Sequence, residues 1–518
     1  MLPTATTLAI ASLGLAAACF APPAGAQAPA GPSLDSGPYG VGFRIIEALD
    51  STRAFRPLRD FRGRLAAETA RPVQVSVWYP APPATTAPRM SAGQFRLARE
   101  SDVDFDVRLT PADEDRLRSA FIDAAVDFGA DRAAAAGVWD RHTPAVRNAT
   151  PLPGPHPTVL YFTAAGVSNP LLPAYLASHG FVVASFPSNG RMTDVSLEFT
   201  PNALTLDTDI DDAGFVYALL RRLPYADTRR LAVASFSNGS LAALLWQMRD
   251  MQASAIVTLE GWERYRRGAD IIAGSVHYEP HRVRIPFLMI ERAADERSPQ
   301  YARVPDVVGG LPYAEITRVA FRDAAHADFL SHVAFGHTPR QPAIYRASAG
   351  MIRLFLEAAL GGDSAAESAF ADLSPPPDDP FFTVARDAAT GPVPTEEELY
   401  RLAETDPAGA AAAYRDAAGI VPGNALFREA VLTRAAIFAP TPVARITIME
   451  IVVAAYSTST AARFRLAEAL ADAARPEDAA AAFATALSLV EGDAALEAAE
   501  RGEWRDRIRS ALEEVRTP

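Results

Sequence analysis

The sequence predicts an α/β fold, a doubly wound and mostly parallel sheet, followed by an all-α region. Two observations predict the sheet. Short apolar runs recur at 158–163, 181–185, 230–235, 255–260, 286–291 and 316–321. Segments with helical periodicity separate several of them, at 170–179, 210–222 and 239–250. Strands apolar on both faces and interleaved with helices belong to a parallel sheet covered on both sides, whereas a half-exposed antiparallel sheet alternates. The third observation is a change of composition after the proline-rich stretch Ser374 to Pro380, beyond which the chain is Ala-rich and helical.

The elements before the sheet follow in order. Residues 6–21 form an uncharged Ala/Leu-rich run, and Ala24-Gly25-Ala26 supplies a small-x-small pattern, so 1–26 is expected to be an export signal. Its end at Pro22-Pro23 makes the run short for a membrane span. The single cysteine, Cys19, lies inside it, and a lipid anchor there is the alternative to cleavage. A Pro/Ala/Gly linker (27–37) leads to the domain expected over 38–370. Val73, Val75, Val77 and Tyr79 alternate as in a strand that Pro80 stops. A helical insertion is expected at about 90–150, opening on acidic residues near Asp113 to Asp115.

Residues 371–391 read as a linker and 392–518 as a helical module. Ala410, Tyr414 and Ala417 match the offsets of Ala479, Phe483 and Ala486, with Pro422 following the first set and Leu489 the second. Phe483 lies 69 residues after Tyr414, near two periods of a tetratricopeptide repeat. A plain Ala-rich bundle would show similar matches. A repeat of that kind would offer a surface to a protein or peptide partner.

Charge excludes some functions. The chain has 49 basic and 62 acidic residues, a net charge of −13, and no lysine. Without a basic stretch, nucleic acid is not an expected partner. No later segment is apolar enough to span a bilayer. No Cys/His spacing suits a metal, and Asp207 to Asp212 lacks the Gly and Glu of a calcium loop. That acidic run is expected at a helix N-terminus.

The chemistry is expected at Ser237. In Ala234-Ser235-Phe236-Ser237-Asn238-Gly239 an apolar strand enters a small-x-Ser-x-Gly turn, and a helix begins at once. Such an elbow lifts the hydroxyl clear of the sheet and places it at a helix N-terminus, where N–H groups favour developing negative charge. An ordinary turn with an N-cap is the plainer reading. A serine nucleophile needs a base, and His326 follows the last apolar run on a loop. His277, His281, His179 and His332 suit solvated or packing positions better. The imidazole needs a carboxylate, and two compete in the order Ser, acid, His. Glu260 ends the strand after the nucleophile helix, where a buried charge demands a partner. Asp295 follows the next strand.

The chain over roughly 38–360 resembles the branch of α/β-hydrolases related to platelet-activating-factor acetylhydrolase and dienelactone hydrolase. Tyr39 to Phe43, Arg71 to Pro80, Leu176 to Val183, the elbow, Leu259 to Trp262 and His326 to Phe329 carry the resemblance. Acetylhydrolase-like members imply Glu260 as the acid, and dienelactone-hydrolase-like members imply Asp295. The resemblance implies a cofactor-independent serine esterase acting on small-molecule esters. Its oxyanion hole would use the backbone amides of Asn238 and of Ala165 or Gly166, since Tyr161 to Gly166 lacks the family's His-Gly turn. The competing expectation is a non-catalytic binding protein that works through its helical tail.

Overall fold

The computed structural model describes residues 34–55, 68–83, 87–127, 131–163, 170–189, 203–293, 307–330, 340–378, 380–389 and 393–516. The expected export segment with Cys19, residues 27–33 of the first linker, Ala165, Gly166, Asp295 and His332 lie outside them. The chain divides into two compact units, Met1–Ala389 and Thr390–Pro518.

In the first unit, strands β1 (Gly40–Phe55) and β2 (Thr69–Ala81) precede three helices, α1 (Ala92–Ala98), α2 (Pro111–Asp127) and α3 (Arg132–Asp140). A short β3 (Ala145–Arg147) leads to β4 (His156–Thr163), α4 (Leu171–Ser178) and β5 (Val182–Phe186). Next come α5 (Ala203–Leu220), β6 (Ala226–Phe236), α6 (Gly239–Asp250), β7 (Ala255–Leu259) and α7 (Arg266–Ala273). The unit continues through β8 (Phe287–Arg292), β9 (Ile316–Phe321), α8 (Gln341–Gly361), α9 (Ser364–Ala371) and β10 (Phe382–Asp387).

All ten strands join one sheet, in the order β10-β9-β8-β7-β6-β4-β5-β2-β1-β3. β5, β4, β6, β7, β8 and β9 run parallel, whereas β2 is antiparallel to both β1 and β5. This is an α/β-hydrolase fold. Each parallel strand divides its apolar residues between two cores. Leu160, Phe162, Val233, Ile256 and Met289 enter one, while Val159, Tyr161, Ala232, Val257 and Leu288 enter the other. Burial on both faces is why these segments read as unbroken apolar runs.

Three expectations need correction. The strand read at Val73 to Tyr79 is expected to stop at Pro80, yet it runs through to Ala81, and Arg71 through Ala81 are all buried. The helical insertion covers the second face. Gln74 donates to the Ala98 carbonyl (3.2 Å) and to Ser101 Oγ (3.0 Å), and Trp78 stacks on Phe95 at 5.8 Å. The insertion is also not helical throughout, because β3 adds an outer parallel strand beside β1.

The larger correction concerns 371–391, where a linker is expected. Ser374 to Asp378 carry no regular structure, but Phe382–Asp387 pair antiparallel with β9 from Phe321 back to Ile316. Phe381 and Phe382 pack on Phe321 at 5.7 and 5.5 Å. Prolines cannot donate to a ladder, so the strand starts only after Pro380. At six residues and half-exposed, its alternation is too short to stand out beside the proline run.

The second unit is helical among its described residues: α10 (Glu396–Thr405), α11 (Pro407–Ala418), α12 (Glu429–Ile437), α13 (Pro442–Ala455), α14 (Thr460–Asp472), α15 (Pro476–Leu489) and α16 (Ala498–Arg516). α10 packs on α11, each helix from α12 to α16 packs on the next, and α10 also meets α12 as α11 meets α13. Thr395 opens the unit with a capping box to Glu398, and Pro begins α11, α13 and α15, where its missing N–H has no helical partner to lose.

Candidate active site

The site grows from the junction of β6 and α6. β6 ends at Phe236, and Ser237 takes a left-handed backbone with φ of 55°. Three bonds hold this conformation. Ser237 N–H donates to the Leu259 carbonyl (3.0 Å), and the Ser237 carbonyl accepts from the N–H groups of Ser240 (3.1 Å) and Trp262 (3.2 Å). Gly239 lies against β4 so closely that a Cβ there would stand 2.6 Å from the Phe162 carbonyl oxygen. The small residue at 235 is explained as well, since its buried hydroxyl donates to the Val257 carbonyl across β7 (3.3 Å). Asn238 heads α6 in its N-cap position.

His326 opens a 3-10 turn, His326–Phe329, just beyond β9. The turn is fixed from beneath. The buried Asp328 accepts from Ala325 N–H (2.8 Å), and the buried Phe329 packs on Phe321 at 5.9 Å. The imidazole lies on the Phe236 ring at 4.9 Å, and its Nε2 is 3.1 Å from Ser237 Oγ. Leu330, one residue past the turn, packs against Ile122, Ala125 and Ala135 of the insertion, tying α2 and α3 to the histidine loop.

Glu260 follows β7, also left-handed, with φ of 47°, and is fully buried. Its Oε1 lies 3.7 Å from His326 Nδ1. Tyr265 donates to Oε1 at 2.5 Å, and the Arg292 backbone N–H and Arg264 donate to Oε2 at 2.7 and 3.2 Å. The Arg292 guanidinium is a further 3.0 Å from Oε1. Burial pushes this carboxyl toward protonation. The neighbouring His326 and the charges of Arg264 and Arg292 outweigh it and hold the group at about 2, ionised at neutral pH.

Two further glutamates behave oppositely. Glu291 bonds Arg264 at 3.1 Å, but burial, opposed by Arg264 and reinforced by the Glu260 charge, lifts it to about 7. Glu263 is fully buried beneath the elbow, and burial raises it too, with the Ser240 and Thr258 hydroxyls opposing the rise. Its oxygens fill the space a Cβ at Gly261 would need, which accounts for glycine after Glu260.

The structure thus brings Ser237, His326 and Glu260 together. The other described histidines weighed as bases lie elsewhere: His277 Nε2 is 3.7 Å from Asp207, His281 is 3.8 Å from Glu279, and His179 ends α4 against Tyr175. Asp207 to Asp212 falls inside α5 rather than at its first turn. There Asp212 pairs with the buried Arg71 and with Arg53, while Asp209 accepts from Ser188. Sequence reasoning missed Arg264, Tyr265 and Arg292. A buried Glu260 already demanded cationic partners, but nothing in the spacing said which arginines among so many would turn inward. Among the described residues, no three His, Cys, Asp or Glu side chains group as a metal site, and no helix is long and apolar enough to cross a membrane.

No protein-family model matches the chain, and no curated protein does. Among solved structures it is similar to a ferulic acid esterase from Streptomyces cinnamoneus, at 18% identity and a TM-score of 0.45, over 68% of this chain and 99% of that one. The chemistry of the site therefore stands on its own side chains.

Proposed function

We propose that this protein is a serine hydrolase of carboxylic esters, with Ser237 as nucleophile, His326 as base and Glu260 as the orienting acid. The contact between His326 Nε2 and Ser237 Oγ, at 3.1 Å on a left-handed elbow, carries the reading. His326 takes the hydroxyl proton as Oγ attacks the ester carbonyl. The tetrahedral oxyanion is held by the Asn238 amide and, as the sequence leads us to expect, by that of Ala165 or Gly166. The C–O bond then breaks, His326 returns the proton to the departing alcohol, and water releases the acyl group by the same steps. Glu260 stays ionised and stabilises the imidazolium.

The acyl group is proposed to be short, with the insertion tied to Leu330 bordering the histidine loop. The helical unit is proposed to be tetratricopeptide-like and to hold a protein or peptide partner, on the strength of the packing of α10 on α12 and of α11 on α13. A fluorophosphonate probe tests the chemistry directly. Covalent labelling at Ser237, with turnover of p-nitrophenyl esters falling as the acyl chain lengthens, is expected. A folded protein that is neither labelled nor active would instead be the binding protein of the competing expectation.

A further inference from the structure

Glu260 has to meet two demands that conflict. It must be free enough to follow the imidazole as that ring becomes charged, and fixed enough to keep Oε1 facing Nδ1. A carboxylate on a long side chain turns readily about its last torsion, which has only broad minima. In this site both oxygens are engaged. Oε2 is held by the Arg292 backbone N–H at 2.7 Å and by Arg264 at 3.2 Å, and Oε1 by the Tyr265 hydroxyl at 2.5 Å.

The direction of the Tyr265 bond is set by a third group. Arg292 Nη2 donates to the phenol oxygen at 3.1 Å. A guanidinium cannot accept, so the phenol proton is turned toward Oε1. The ring itself is placed by backbone, since Tyr265 N–H closes the 3-10 turn onto the Trp262 carbonyl (3.0 Å) and its own carbonyl starts α7 by accepting from Ala269 (2.8 Å). A chain of donors therefore runs from Arg292 through Tyr265 to Glu260, and ends opposite His326 Nδ1.

We propose that Tyr265 is a positioning residue for catalysis, holding the Glu260 carboxylate in the orientation from which Oε1 closes on Nδ1 as the imidazolium forms. It acts through Glu260 and touches no reacting atom. The inference rests on the hydrolytic reading of Ser237, His326 and Glu260.

Tyr265→Phe removes the hydroxyl and keeps the ring. Its kcat on p-nitrophenyl acetate is expected to fall about tenfold or more with KM within about twofold, because only the charged imidazole needs the positioned acid. In a Glu260→Gln background, where the acid is already lost, the same change is expected to cost less than about twofold. Fluorophosphonate titration of both proteins counts competent Ser237, so a folding loss is read separately. An unchanged kcat in Tyr265→Phe overturns the proposal. So does an equal loss in both backgrounds, which would make the hydroxyl merely structural. A wild type that is neither labelled nor active removes the hydrolytic reading itself, and that result is distinct from the first two.

Discussion

Oε1 of Glu260 lies 3.7 Å from Nδ1 of His326, while the opposite ring nitrogen is already within hydrogen-bond distance of Ser237. The nucleophile side of the imidazole is thus formed, and the acid side is open by several tenths of an ångström. A separation of this kind closes when the ring gains charge, since catalytic contacts tighten on the way to the transition state. Glu260→Gln is expected to lower kcat by roughly a thousandfold or more, with KM little changed, because a neutral amide neither fixes the tautomer nor stabilises the imidazolium. Asp295→Asn is expected to cost far less. The reverse ranking in steady-state kinetics would assign the acid to Asp295.

The two carboxyl partners of Arg264 give opposite pH signatures. Glu260 is depressed to about 2, so its contribution to stability is present above the unfolded value of about 4.3 and is lost as pH falls through 2. Glu291 is raised to about 7, so its contribution is present below about 4.3 and is lost as pH rises through 7. Between pH 5 and 8 the wild type is therefore expected to lose thermal stability relative to Glu291→Gln, by roughly 2–5 °C in Tm. Calorimetry at the two pH values measures this. Parallel Tm profiles for the two proteins would rule it out.

Gly239→Ala probes the elbow without touching the triad. The added methyl would meet the Phe162 carbonyl at 2.6 Å, backbone against backbone, so either α6 or β4 must shift. The expected outcome is a loss of about 1–3 kcal/mol in stability together with a large drop in fluorophosphonate labelling. Wild-type labelling rates in this variant would show the elbow to be softer than its contacts imply.

Where the chain can be cut follows from β10. A chain ending at Ala389 keeps the edge strand on β9 and is expected to retain near-normal kcat/KM on p-nitrophenyl acetate. A chain ending at Asp372 strips Phe381 and Phe382 from Phe321 and leaves the outer edge of β9 unpaired, and is expected to aggregate. Size-exclusion chromatography and turnover of both forms decide the point. Equal behaviour would make β10 dispensable.

The sheet was legible because burial on both faces writes itself as apolar runs, and β4 through β9 fall on the runs read in the sequence. Ser237 and His326 were legible for a different reason, since each sits where strand gives way to turn and only a few residue types suit the bend. Glu260 is half legible: its burial follows from the sequence, whereas its 3.7 Å approach to His326 does not. Tyr265, Arg264 and Arg292 were not legible. Their role depends on a left-handed turn at Glu260 that aims the carboxylate sideways, and no local pattern announces such a turn for a glutamate. β10 escaped because a few half-exposed residues beside a proline run carry little pattern.

The left-handed backbone at Ser237 sets the proposed nucleophile against the stability of the fold. An L-residue there costs roughly 1 kcal/mol that glycine does not. Ser237→Gly is then expected to abolish hydrolysis and raise the melting temperature slightly. Inactivation by this route meets no folding penalty, so a well-folded pseudoenzyme stands one codon change from the active protein. On the proposed chemistry, turnover rather than the stability of the chain is what a serine in this place serves.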